Sequence, residues 1–318
     1  MKLKKTVVGS FPPRYTPIEE SIRSIIEVQL EHEIDIVSDG EQRSDMIGYF
    51  ESIKGLDRAP RGLRVASRIH PMENPRDFVK LKDLMFVKNY LKKINRDDVE
   101  VKVTITGPVT LGFYTALNGL AYYASISDLN LYIDFAEALN PLILEVARTG
   151  CYVQIDEPGL SSRVIDPSKA AKIINASSRD IPDSFYDDDK LILHTCGPLN
   201  ESLLKELMRL DAPVLSLAFS APNVRRNVDI ISREAFKEYG KKLGVGCVSV
   251  QASRIEEVEE VRTISKRIRT IRERVGDGYV AFVHPDCGLR GTDDIVAELI
   301  LKRMNQAAKL SSKNVEQS

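Results

Sequence analysis

The sequence predicts a single (β/α)8 TIM barrel with a long excursion between its second and third strands. Three observations carry that expectation. Eight short β-branched runs recur along the chain, segments of helical periodicity separate them, and the chemically suggestive residues fall at or just past the ends of runs. The runs cover residues 6–8, 34–37, 101–106 and 152–155 in the first half, then 191–194, 214–219, 245–250 and 279–283 in the second. A chain of 318 residues with 43% hydrophobic content has enough apolar side chains to fill one core of that size.

The connecting segments follow in order. After the first run, Thr16-Pro17-Ile18-Glu19 offers a cap at Thr16, a proline at the first helical position and a glutamate at the third. Ile18, Ile22, Ile25, Ile26 and Leu30 then form one apolar stripe. The stretch 42–100 is longer than one helix requires, and the prolines and arginines within 60–75 suggest an excursion over the barrel mouth. The stretch 107–150 contains an expected helix over 128–148 that Pro141 kinks. After the seventh run, Val258, Val261, Ile264, Ile268, Ile271 and Val275 repeat at intervals of three or four. Glu256, Glu257, Glu259 and Glu260 near the start of that helix, with Arg272 and Arg274 near its end, complement its dipole before Gly276 closes it. No repeat or linker divides the chain, so residues 1–308 read as one domain and the polar segment 309–318 as a frayed tail.

Composition excludes several functions. Lys plus Arg total 45 against 46 for Asp plus Glu, so no strong field gathers nucleic acid or an anionic membrane. The N-terminus turns polar too soon for a signal peptide, and no apolar run approaches the roughly 20 residues of a bilayer span. A soluble, cytoplasmic protein is expected. Four cysteines are too sparse for a disulfide scaffold, which leaves metal or catalytic use as their special role. Cys151 and Cys247 lie away from the mouth ends of runs and read as structural, while His32 and His70 read as solvent-facing.

Ser10, Glu41, Asp156, His194, Cys196 and Cys287 all stand at the C-terminal ends of predicted strands, where (β/α)8 barrels build their active sites. His194 and Cys196 are two apart, so strand alternation directs both to one side. On that spacing alone, a buried cysteine beside a hydrogen-bonded histidine reads equally well. Adding Cys287 gives one imidazole and two thiolates, a borderline-soft set that suits zinc and leaves a position open for substrate. Asp39-Gly40-Glu41 and Asp156-Glu157-Pro158 each read singly as a turn or cap; facing one mouth, they would hold an ammonium group.

These residues resemble the cobalamin-independent methionine synthase family, in its catalytic C-terminal barrel. The matching strings are Val8-Gly9-Ser10-Phe11-Pro12, Asp39-Gly40-Glu41, Asp45-Met46-Ile47-Gly48-Tyr49-Phe50 and Thr106-Gly107-Pro108-Val109-Thr110. Gln154-Ile155-Asp156-Glu157-Pro158, His194-Thr195-Cys196 and Pro285-Asp286-Cys287-Gly288-Leu289 complete them, in family order and across nearly the whole chain. The resemblance implies zinc on His194, Cys196 and Cys287, and homocysteine held by Gly9, Ser10, Glu41 and Asp156. The implied activity is methyl transfer to the zinc-activated thiol of homocysteine, forming methionine.

The departures from the family are informative. The family's fourth zinc ligand, a glutamate, is matched by Ala218, and water, the substrate or His284 would fill the gap, His284 being the weaker idea because its ring faces the barrel interior. The tryptophan that stacks on a pterin is matched by Tyr114, and the histidine that protonates a folate leaving group by Gln251; Arg68 faintly matches a donor-side segment. A cobalt(I) corrinoid departs without a proton, so the expected donor is a methylated corrinoid protein rather than methyltetrahydrofolate. Two alternatives stand beside this reading: methyl transfer to another thiol such as coenzyme M, and a non-catalytic paralogue that binds zinc or a corrinoid protein.

Overall fold

The computed structural model describes residues 3–313. Its ten strands are β1 (Lys4–Lys5), β2 (Ile36–Val37), β3 (Leu56–Ala59), β4 (Gly62–Val65), β5 (Glu100–Thr106), β6 (Tyr152–Asp156), β7 (Leu191–Thr195), β8 (Val214–Ala218), β9 (Lys242–Val248) and β10 (Val280–Pro285). Eight of them pair in the order β1-β10-β9-β8-β7-β6-β5-β2, every pair parallel. A parallel bridge between Thr6 and Ile36 joins the two outer strands and completes the (β/α)8 barrel. The first strand is shorter and earlier than the run at 6–8 suggests: β1 spans Lys4–Lys5, and only Thr6 of the run joins the sheet, through its bridge to Ile36.

Strand alternation sorts the interior into levels. Ile36, Tyr152, Ile192, Val214 and Phe282 pack together near the strand starts and plug the barrel floor. Two residues farther along the same faces come Gln154, His194, Ser216 and His284, all buried and all polar. Register sets His194 level with Ser216, and Asp156, two residues past Gln154, level with His194. A larger apolar cluster lies between the barrel and its helices.

The helices correct several expectations. The first spans Ile18–Glu31, but Pro17 has ψ 141° and stands outside it as the cap residue, with no side-chain bond. Thr16 is thereby displaced by one residue from the free amides, and its hydroxyl lies 2.8 Å from Ser21 Oγ instead. The helix Leu129–Arg148 continues through Pro141 as one element, and Asp128 caps it by accepting from Asn130 N–H at 3.0 Å. The helix Val261–Val275 buries Ile264, Ile268, Ile271 and Val275 as the periodicity predicts. Its expected acidic start lies outside it. Glu257 accepts from Ser253 N–H, and Glu259 accepts from Ser249 N–H while pairing with Arg267 at 2.6 Å, so these acids brace the preceding loop. The last helix, Asp294–Lys313, passes the expected boundary at 308; Lys309 pairs with Glu33 and Ser311 is buried. The rest of the expected tail, 314–318, lies outside the described residues.

In the long excursion, β3 and β4 form an antiparallel hairpin, and the helix Val79–Lys93 follows. Val65 bridges Leu120, which ties the hairpin to the end of the helix Pro108–Asn118. Among the described residues, no helix is long and apolar enough to cross a membrane.

Candidate active site

His194, Cys196 and Cys287 meet at the barrel mouth, with one donor atom from each lying within 4.8 Å of the others. The two sulfurs are 3.2 Å apart. Their contact pushes the Cys196 thiol well up and the Cys287 thiol well down, the pattern of two sulfurs sharing one proton. His194 is buried, and its Nε2 has no hydrogen-bond partner although it is sealed from solvent. Such an orphaned nitrogen costs stability unless something outside the protein occupies it. An imidazole lone pair beside two sulfurs fits a borderline-soft metal ion. The ring's other nitrogen, Nδ1, is 2.9 Å from Ser216 Oγ, which lies 2.9 Å from His284 Nε2. His284 is wholly buried, and burial pushes it down to about 3, so its ring is neutral. With Nε2 committed to Ser216 and Nδ1 2.6 Å from the Pro285 carbonyl, His284 has no ring nitrogen left for a metal.

The opposite side of the mouth is ionic. Gly40 and Glu41 both take positive φ, 75° and 50°, and this turn after β2 directs the Glu41 carboxylate inward. Glu41 Oε1 accepts from Lys80 Nζ at 2.7 Å and from Thr104 Oγ1 at 2.9 Å. Lys80 is 1% exposed and its Nζ stands 4.0 Å from the Tyr49 ring centroid. The expectation that Glu41 waits for a ligand ammonium is therefore revised: the protein already supplies a cation to one of its oxygens. Asp156 forms no ion pair among the described residues; its Oδ1 accepts from Gln154 Nε2 at 2.6 Å. Burial pushes Asp156 up to about 7 and Lys102 down to about 7, and Lys102 Nζ donates to Gln154 Oε1 at 2.6 Å. Asp39, half-buried in the same turn, is pushed up to about 6 by desolvation.

Gly9 and Ser10 reach the same mouth. A Cβ on Gly9 would come within 2.7 Å of Thr104, and one on Gly288 within 2.1 Å of Ser10 Oγ. Leu289 N–H donates to the Ser10 carbonyl at 2.7 Å, so the chain's start is fastened beside Cys287.

Two carboxylates inside the motifs prove to be architectural. Glu157 accepts from Val109 N–H, Thr110 N–H and Thr110 Oγ1 at 3.0, 2.8 and 2.6 Å, capping the helix Pro108–Asn118 from another segment. Gly107 makes room for it, since a Cβ there would lie 2.2 Å from Glu157 Oε1. Asp286 accepts from the backbone amides of Phe219, Ser220 and Ala221, which holds the turn after β8 against β10. Sequence reasoning does not find Lys80. Its signal is its place in the series Lys80, Leu84, Val87, Leu91, the buried stripe of the helix Val79–Lys93.

The remaining candidates are not among the three donors of the His–Cys group. Tyr114 is 41% exposed and lines a cavity of about 580 Å³ between the hairpin and residues 44–48. Arg68 pairs with Asp134 at 3.1 Å, and Gln251 is exposed on the loop after β9. Ala218 is fully buried at the end of β8 and presents no donor atom.

Residues 2–310 match the family described as the cobalamin-independent synthase catalytic domain. The chain belongs to this family. It is a methionine synthase-type methyltransferase. Its family relatives include proteins named methionine synthase from Methanocaldococcus jannaschii, 30% identical across 96% of this chain and 98% of the relative, and from Methanothermobacter thermautotrophicus, 29% identical across 95% and 98%. A structure described as a B12-independent methionine synthase from Shewanella in complex with selenomethionine superposes with a TM-score of 0.75 at 18% identity, covering 100% of both chains. At that identity the likeness supports the barrel fold alone.

Proposed function

We propose that this enzyme uses zinc, held by His194, Cys196 and Cys287, to methylate the thiol of homocysteine and form methionine, taking the methyl group from a methylated corrinoid protein. The observation that carries the reading is the buried, unpartnered Nε2 of His194 beside two sulfurs 3.2 Å apart. When bound there, zinc supplies the Lewis acidity that lets an added thiol ionise near neutral pH. The chain's residues do the rest. Asp156 receives the substrate ammonium, Gly9 and Ser10 line the adjacent wall, and Lys80 keeps Glu41 from acting as a second full negative charge. The homocysteine sulfur forms the new S–CH3 bond as the C–Co bond breaks, and the electron pair of that bond stays on cobalt, giving cobalt(I). No leaving-group proton is needed, in keeping with an exposed Gln251 where a folate enzyme would place an acid.

A second reading, transfer to an anionic thiol such as coenzyme M, draws on Lys80, a buried cation on this wall. One set of assays separates them. The zinc-loaded protein is given methylcobalamin or methyltetrahydrofolate, each with homocysteine or coenzyme M. Methionine from methylcobalamin and homocysteine is expected. Methionine from the folate alone would overturn the donor, and turnover of coenzyme M alone would overturn the acceptor.

A further inference from the structure

We infer that Ser216 and His284 are positioning residues that set the protonation of His194, holding its proton on Nδ1 and presenting a bare Nε2 to the metal; the functional consequence rests on the zinc reading above. The direction of each hydrogen bond follows from what its partners can do. A peptide carbonyl only accepts, so His284 Nδ1, 2.6 Å from the Pro285 oxygen, carries the proton. His284 is wholly buried and no carboxylate is among its hydrogen-bond partners, so a charged ring is disfavoured and its Nε2 is a lone pair. Ser216 Oγ, 2.9 Å away, has one proton and gives it to that nitrogen. The serine oxygen is then left to accept from His194 Nδ1, also at 2.9 Å. In the neutral His194 ring the lone pair is therefore on Nε2, the ring atom for which no protein hydrogen-bond partner is present. Reversing the series would set a lone pair on His284 Nδ1 against a carbonyl oxygen 2.6 Å away. The relay joins β10, β8 and β7, reaching across β9, so side chains of three strands fix one ligand's tautomer, as outer hydrogen bonds do for metal-binding imidazoles generally.

Histidine-labelled protein tests the relay without requiring turnover. In the metal-free protein, long-range 1H–15N spectra are expected to show His194 protonated at Nδ1 and bare at Nε2. Ser216→Ala is expected to mix the two tautomers and to weaken zinc binding about 10–100-fold in competition with a chelator, whereas Ser216→Thr, which keeps the hydroxyl, restores both. In His284→Leu the serine proton loses its acceptor and turns toward His194 Nδ1, so the His194 proton is expected to move to Nε2; this variant carries the test if Ser216→Ala does not fold. A wild-type His194 protonated at Nε2 would overturn the relay, as would variants with unchanged tautomer and zinc affinity. Wild-type protein that shows the expected tautomer but takes up no zinc would retain the relay and refute the zinc reading, so the two failures are distinct.

Discussion

The two sides of the barrel mouth handle charge in opposite ways. On the side of β7, β8 and β10, the cluster around His194 is soft or neutral, two sulfurs, two imidazoles and a serine hydroxyl joined by directional hydrogen bonds, and the one buried carboxylate there, Asp286, is spent on backbone amides. On the side of β2, β5 and β6, they are ionic, with Lys80 against Glu41 and Lys102 near Asp156. The ionic side contains its own counterions, while the soft side leaves a nitrogen unsatisfied. One side therefore neutralises Glu41 from within and leaves Asp156 open, while the other leaves the His194 lone pair beside two sulfurs.

The contrast is broken most directly at Cys287. Cys287→Ala is expected to lose stoichiometric zinc and to lower methyl transfer on the order of 1,000-fold with circular dichroism unchanged; metal analysis with turnover checks this, and full zinc with a near-normal rate would remove the distinction. On the ionic side the larger cost falls on folding. Lys80→Met leaves Glu41 buried beside an apolar chain and is expected to cost about 3–5 kcal/mol in urea unfolding, most of it recovered by adding Glu41→Gln. Equal losses in the single and double variants would show that the pair is not what stabilises this wall.

Asp39 sharpens the comparison through pH. Burial raises its folded pKa from 3.8 to about 6, so its neutral form is favoured in the fold. Its contribution to stability is full below about pH 4 and declines as pH rises through 6, opposite to a salt-bridged carboxylate. Asp39→Asn is expected to gain on wild type by an amount on the order of 2 kcal/mol between pH 4 and pH 7; unfolding at both pH values reads it, and a constant difference would contradict the assignment. The smallest effect is expected at Arg68. Its ion pair with Asp134 is exposed, so Arg68→Ala should change stability by less than about 1 kcal/mol and leave the KM for homocysteine unaltered; a large KM change would draw the excursion into the acceptor site.

The barrel and the His194–Cys196 pair are legible in the sequence because each depends on local spacing, and Cys287, 91 residues from Cys196, is legible because it too follows a strand end. A strand's period of two places His194 and Cys196, and eight strand ends converge by topology. Lys80 is not legible as a site residue because its partner, Glu41, is 39 residues away in sequence and a lysine in a helix ordinarily reaches solvent. Ser216 is hidden for a similar reason: its meaning comes from His194 and His284, 22 and 68 residues distant. Asp156 and Glu157 are neighbours whose roles divide only when strand alternation turns one toward the mouth and the other toward the amides of Val109 and Thr110. The cap at Thr16 fails on one dihedral angle at Pro17.

The union of Cys287 with His194 and Cys196 also orders events in time. During synthesis the ribosome delivers the nitrogen and first sulfur long before the second, so a growing chain can grip a metal with two donors at most. Secure capture must await nearly the whole polypeptide, and the ring of strands that brings its two extremities together. On the zinc reading proposed above, metal loading is thus a late step of maturation, and a chain cut short of residue 287 would release what it had picked up.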